Sequence, residues 1–278
     1  MKILALDIGG TNVRSAIVKG MKLCDYRKIK TPAKQKEEVK CLFDVVSGYG
    51  KVDAICISTA GFLRDGKIVL SLNNDMDGVP LPGVLKKKFR TNVYVGNDAN
   101  CAALAEFYYG AGRGRRNFIL ITLGSGIGGG AILNGKLYCG GGGAIEPGSM
   151  RIDGEKYIWE ELASGNASIR VAREMGFKGI TSLELEHKAD AGNAKAKNVY
   201  DIVGKNIGLG LANLAYIFDP ELLVVGGGFS RVKYIYPEMN KTFKRLYKLN
   251  PKPKIVKAKF GDDAGLIGAS LLVKEKNG

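Results

Sequence analysis

Asp7-Ile8-Gly9-Gly10-Thr11-Asn12 and Thr122-Leu123-Gly124-Ser125-Gly126-Ile127 decide how this chain is read. An apolar run precedes each stretch, Lys2–Leu6 in one case and Asn117–Ile121 in the other, and a second apolar run returns after it, Val13–Val18 or Ala131–Leu133. Strand, glycine-rich turn and returning strand is the economical reading of both. Placing Thr122 on Asp7, an offset of 115 residues, also sets Gly9 on Gly124, Ala16 on Ala131, Ile17 on Ile132 and Gly20 on Gly135. Ordered self-similarity of this kind means two related domains, each opening with a glycine-turned hairpin, with a cleft between them. The length of 278 residues agrees, because a single hydrophobic core usually stops growing below that size.

Outward from the first turn, Met21–Ile29 extends the hairpin to a meander. Lys34–Gly48 has helical spacing through Val39, Leu42, Phe43 and Val46, and Val52–Ile57 reads as a buried strand. Leu81–Phe89 is expected as a helix, Asn92–Val95 as a strand and Ala99–Tyr108 as a helix entered from Asn97-Asp98. After the second turn, Asn134-Gly135 signals a hairpin. Ile158–Ala163, Ala167–Met175, Val199–Ile217 and Asp263–Lys274 read as helices, and Leu222–Val225 as a strand ending in Gly226-Gly227-Gly228. The domains are expected at 1–109 and 110–278, with the last helix (about 263–274) free to pack back on the first.

Composition is that of a globular protein, 45% hydrophobic and 25% charged. No apolar run approaches a membrane span, and Ile3–Ile8 is too short for a signal sequence, so a cytoplasmic protein without a membrane partner is expected. The five cysteines are scattered without a C-x-x-C pair, which argues against a disulfide framework or a zinc cluster. The net charge of +15 invites an anionic partner. Its lysine runs, Lys86–Lys88 and Lys252–Lys259, lack interleaved aromatics and any nucleic-acid module, so no nucleic-acid partner is expected.

Glycine turns after strands let backbone N–H groups approach a phosphate. Asp7 before the first turn suits Mg²⁺, and Thr11 can add a hydroxyl. Gly124-Ser125-Gly126-Ile127-Gly128-Gly129 satisfies G-x-G-x-x-G, but a strand follows where a dinucleotide fingerprint needs a helix. There is no G-x-x-x-x-G-K-[ST]. Asn97-Asp98-Ala99-Asn100 at a strand-to-helix junction admits two readings, a helix cap or a carboxylate general base.

Five segments in order resemble the ROK family of sugar kinases, within the superfamily of actin, hexokinase and heat-shock ATPases. They are Asp7-Ile8-Gly9-Gly10-Thr11-Asn12-Val13-Arg14, Asn97-Asp98-Ala99-Asn100 with Glu106, Thr122 to Gly130, Val224-Val225-Gly226-Gly227-Gly228, and Asp262 to Ala269. The resemblance covers nearly the whole chain. It implies a two-domain α/β, actin-like ATPase (ribonuclease H-like) fold with an interdomain cleft, and ATP-dependent phosphorylation of the C6 hydroxyl of glucose or an N-acetylhexosamine such as N-acetylmannosamine. Asp98 would be the general base. Asp7, Gly9, Gly10, Thr11, Asn12, Thr122, Gly124, Ser125 and Gly126 would serve the phosphates, with Mg²⁺ near Asp7, and Gly226, Gly227 and Gly228 the adenosine. Asn73 (or Asn74), Asn97, Asp98, Glu146, Ser149 and Glu160 would face the sugar. A homodimer is implied as well.

The chain departs from the family at one place. Family members carry E-x-G-H and a cysteine cluster that together bind structural zinc. Here Glu146-Pro147-Gly148-Ser149 ends in serine, and residues 150–160 contain no cysteine, so no zinc is expected. Serine leaves room where the family histidine touches the sugar, which keeps an acetamido substituent in play. The rival readings are a polyphosphate-dependent glucokinase and a non-catalytic sugar sensor. A repressor of the family would need a DNA-binding module for which there is no room before the first strand.

Overall fold

Residues 1–64, 67–70, 76–143, 145–152, 154 and 156–275 are described by a computed structural model, 62–64 and 67–70 as backbone only. β1 (Ile3–Ile8), β2 (Asn12–Lys19) and β3 (Lys22–Lys30) form an antiparallel meander, and β4 (Ala54–Thr59) adds parallel to β1. A small ribbon, β5 (Phe62–Arg64) and β6 (Lys67–Leu70), precedes β7 (Asn92–Asn97), which pairs parallel with β4. The sheet order is β3-β2-β1-β4-β7.

The second sheet repeats that plan. β8 (Phe118–Leu123), β9 (Ile127–Leu133), β10 (Lys136–Tyr138), β11 (Leu222–Gly226) and β12 (Lys254–Lys257) lie in the order β10-β9-β8-β11-β12, with β11 parallel to β8 and β12. β1 shifted by the 115-residue offset falls on β8 from first residue to last. The duplication legible in the glycine turns is therefore a duplication of topology. Unit 1 comprises Met1–Gly114, Gly130–Ala144 and Asp262–Gly278, and unit 2 Arg115–Gly129 and Ile145–Gly261.

In unit 1 the strand alternation sorts large residues from small. Leu4, Leu6, Ile8, Ile55 and Ile57 join Leu42 and Val46 of α1 (Gln35–Ser47) and Leu81 and Leu85 of α2 (Leu81–Phe89) in one buried cluster. The opposite side of β1 carries Ala5 and Asp7, and small residues there admit a helix at close range. α9 (Ala264–Glu275) packs on β1, β4 and β7 and against α3 (Asp98–Tyr109).

Unit 2 is helix-rich. α4 (Trp159–Ala163), α5 (Gly165–Glu174) and α6 (Ser182–Asp190) lead into α7 (Ala194–Phe218), and α8 (Tyr236–Leu246) follows β11. The glycines of α7 mark close approaches. A Cβ at Gly204 or Gly208 would strike the carbonyl of Ile235 or Met239, and one at Gly210 would enter the Trp159 ring. That ring is fully buried and donates its N–H to the Asn206 carbonyl at 2.9 Å. α6 is capped at its N-terminal end: Thr181 Oγ1 accepts from the Glu184 N–H, and Glu184 Oε2 accepts from the Thr181 N–H at 2.8 Å. Thr181→Ala should cost about 1 kcal/mol, read as a lower urea midpoint with an unchanged m-value. Among the described residues no helix is long and apolar enough to cross a membrane.

Candidate functional site

Three parallel strands of unit 1 end side by side, and this builds the first constellation. Register places Asp7 opposite Ser58, Ile8 opposite Thr59, and Thr59 opposite Asn97. Ser58 Oγ donates to Asp7 Oδ1 at 2.9 Å, and Arg14 Nη1 lies 3.7 Å from Asp7 Oδ2. Loss of solvation raises the Asp7 carboxyl above its ordinary value, with Ser58 and Arg14 pulling the other way. The start of α9 closes on the same carboxylate, where a Cβ on Gly265 would stand 2.6 Å from Oδ1. The first glycine turn is tied from within. The Gly9 N–H donates to the Asn12 carbonyl at 3.0 Å, and Thr31 Oγ1 donates to the Gly9 carbonyl at 2.6 Å. Gly10 and Thr11 are left at the exposed tip.

At the end of β7 the two readings of Asn97-Asp98 separate. Asn97 is the N-cap of α3, its Oδ1 accepting from the N–H groups of Ala99 (2.9 Å) and Asn100 (3.1 Å), and its Nδ2 donates to the Gly61 carbonyl at 3.2 Å. Capping is thus done by Asn97, which leaves Asp98 at the first helical position, where Oδ1 accepts from the Ala99 N–H at 2.8 Å. Asp98 is exposed, yet protein crowds its carboxyl. Loss of solvation, reinforced by the charge of Asp7 and opposed by the Ala99 N–H, pushes it up to about 6.

Unit 2 holds the second constellation, where β8 and β11 end in register with Gly226 opposite Thr122. The Gly124 N–H donates to the Gly126 carbonyl at 3.0 Å, so the turn is pinched shut on itself. α5 begins against it, the Gly165 N–H donating to the Gly124 carbonyl at 2.9 Å, with Ser164 as the helix cap. Gly227, at φ +84°, passes the backbone of Leu123 too closely for any Cβ. Glu160 Oε2 accepts from the Ile127 N–H at 3.2 Å, and a Cβ on Gly126 would collide with that carboxylate. Pro147 and Gly148 pack on Gly129 and Ile127, which brings Glu146 and Ser149 to the same strand. Glu146 is half-buried and Ser149 exposed.

Asp7, Gly9, Gly10, Thr11, Asn12, Asn97 and Asp98 therefore gather in unit 1, and Thr122, Gly124, Ser125, Gly126, Glu146, Ser149, Glu160, Gly226, Gly227 and Gly228 in unit 2. Asn73 and Asn74 lie outside the described residues. Sequence reading passed over Ser58, which fixes the Asp7 carboxylate, and the N–H of Gly165 at the second turn. The first is a strand residue like its neighbours. The second carried a signal in Ser164-Gly165, a cap residue before a helix.

Asp7 is a hard oxygen donor beside a glycine turn, and Mg²⁺ commonly takes one or two carboxylates together with substrate phosphates, so this residue fits it. Zinc finds no four-ligand set at Ser149 and the stretch after it. Among the described residues no three His, Cys, Asp or Glu side chains converge, and the single histidine, His187, is exposed on α6.

The chain is 30% identical to a glucokinase of Streptomyces coelicolor, over 98% of this chain and 97% of that one. It is 26% identical to the N-acetyl-D-glucosamine kinase of Haemophilus influenzae, over 98% and 99%. Among solved structures, a ROK family glucokinase from Streptomyces griseus in complex with glucose and AMPPNP superposes with a TM-score of 0.87 at 30% identity, over the full length of both chains. The ROK family profile matches residues 3–276, and with the duplicated actin-like topology this establishes that the chain belongs to the ROK family.

Proposed function

We propose that this protein transfers the γ-phosphoryl group of ATP to the C6 hydroxyl of a hexose or N-acetylhexosamine, with Asp98 as the general base. The observation that carries the reading is Asp98 itself. It stands at the open end of β7 beside Asp7, is relieved of capping by Asn97, and has a carboxyl pushed up to about 6. A base with that affinity is ionised at neutral pH and strong enough to accept a hydroxyl proton as the oxygen attacks phosphorus. Asn97 spends its oxygen on two backbone N–H groups, so its part is to aim Asp98 and to offer the sugar what remains of its amide. Glu146, Ser149 and Glu160 would meet the other hydroxyls, since a site built to hydrogen-bond a polyol rejects ligands that leave its groups unmatched.

The donor would be held by the Gly9-Gly10-Thr11-Asn12 and Thr122–Gly126 turns, with adenosine at Gly226–Gly228, a use that accounts for residues whose side chains are absent or small. Asp7 and the phosphates would hold Mg²⁺, which neutralises phosphate charge when bound. The Streptomyces griseus glucokinase complex, with glucose and AMPPNP, supports the choice of ATP.

The test is a panel of glucose, N-acetylmannosamine, N-acetylglucosamine, fructose and allose against ATP and polyphosphate. Turnover of at least one sugar with ATP is expected. Absence of turnover with every pair would restore the sugar-sensor reading, and a preference for polyphosphate would replace the donor. A preference for unsubstituted hexose by more than about tenfold would end the acetamido idea built on Ser149. The pH dependence has a fixed sign. The base works ionised, so kcat/KM should be level above pH 6–7 and fall about tenfold per unit below about pH 6, with Asp98 as the titrating group of the free enzyme.

A further inference from the structure

α4, which carries Glu160, is only five residues long. A helix of one turn leaves nearly all its carbonyls without an internal partner, so its attitude is set by groups outside it. Two groups do this. Asn206 Nδ2 donates to the Leu162 carbonyl at 3.1 Å, and Arg170 of α5 donates to the Glu161 carbonyl through Nη2 at 3.1 Å and Nε at 3.4 Å. The same guanidinium lies 4.7 Å from the centre of the Tyr157 ring, and its Nη1 meets Glu174 Oε1 at 2.5 Å. One planar group thus fastens the approach to α4 at Tyr157 and its second turn-carbonyl at Glu161, on either side of Glu160. Ion pairing with Glu174 alone would contribute little at a half-exposed position, and Lys156 Nζ also lies over the Tyr157 ring, so the forked contact with the Glu161 carbonyl is what only arginine supplies. The other end of α5 touches the second glycine turn through the Gly165 and Asn166 N–H groups, so α5 spans from that turn to the helix bearing Glu160.

We propose that Arg170 is a positioning residue for the acceptor sugar, holding α4 so that the Glu160 carboxylate stays at the Ile127 N–H and presents its free side to a sugar hydroxyl. The inference rests on the sugar-kinase reading of Glu160.

Arg170→Ala is expected to raise KM for the preferred sugar about tenfold while KM for ATP stays within about twofold, because one charge-assisted contact set is lost on the acceptor side only. Arg170→Lys, which keeps the charge but cannot fork, should recover only part of the loss. Coupling supplies the decisive readout. If Arg170 acts through Glu160, then adding Arg170→Ala to Glu160→Gln produces no further rise in sugar KM. Additive effects, or an unchanged sugar KM in both arginine variants despite a lower melting temperature, would overturn the proposal. Should Arg170→Ala fail to fold, Arg170→Lys and Tyr157→Leu carry the same cycle. A wild-type chain that turns over no sugar removes the underlying reading and the inference together. An active wild type with an indifferent Arg170 removes the inference alone.

Discussion

Asp98→Asn should lower kcat by roughly 10²–10⁴, the usual worth of a positioned general base, with ATP affinity unchanged within about twofold. The substitution keeps shape and keeps an oxygen for the Ala99 N–H, and the helix cap belongs to Asn97, so the local fold is retained. What is lost is the ability to take a proton. A stability measurement separates this from a structural effect, because its sign is set by the carboxyl's proton affinity. In the folded chain that affinity is raised from 3.8 to about 6, so the protonated form is favoured by folding, and ionisation costs stability as pH rises through that interval. The amide removes the cost. Asp98→Asn should therefore melt no lower than wild type below pH 4 and slightly higher at pH 8. A variant that keeps kcat within about threefold would show that proton transfer lies elsewhere, and one that melts lower at pH 8 would show a structural carboxylate instead.

Much of this arrangement was legible because it rests on local patterns. The hairpins around Gly9 and Gly124 have apolar runs and turn residues at matched places, and each founds one of the two sheets. Other elements hid for physical reasons. β12 is an edge strand whose Ile255-Val256 is bracketed by Lys254 and Lys257, so edge protection reads as a charge run. α6 buries only Leu185 and Ala189, too few for a periodic signal. α8 did carry a readable stripe in Met239, Thr242 and Phe243, and α7 a readable start in Asn193, six residues before Val199. At the site, residue types were legible but partners were not. Nothing near Asp7 in the sequence announces Ser58 or Gly265, which reach it through strand register and the return of α9.

That return gives the largest expected effect on stability. Gly268 of α9 faces α3 so closely that an added Cβ would overlap the Cys101 carbonyl. The obstacle is main chain inside a helix, which cannot rotate away as a side chain would. Both helices are fixed elsewhere, α3 by its Asn97 cap and α9 by the buried Leu266, Ile267, Leu271 and Leu272. Gly268→Ala must therefore separate the helices and open gaps along that interface, at a cost of about 3 kcal/mol, the upper end for overpacking. In a domain of this size that is a fall in melting temperature of roughly 6–12 °C. Gly83 of α2 supplies the contrast, a helical glycine with nothing near its missing Cβ, where alanine should raise stability by about 0.5–1 kcal/mol. Since α3 begins at Asp98 and Gly265 leans on Asp7, the separation should also spread the two carboxylates. Gly268→Ala is then expected to lose activity at temperatures where it is still folded, and full activity there would mean that the α3–α9 contact supports the fold without setting the site.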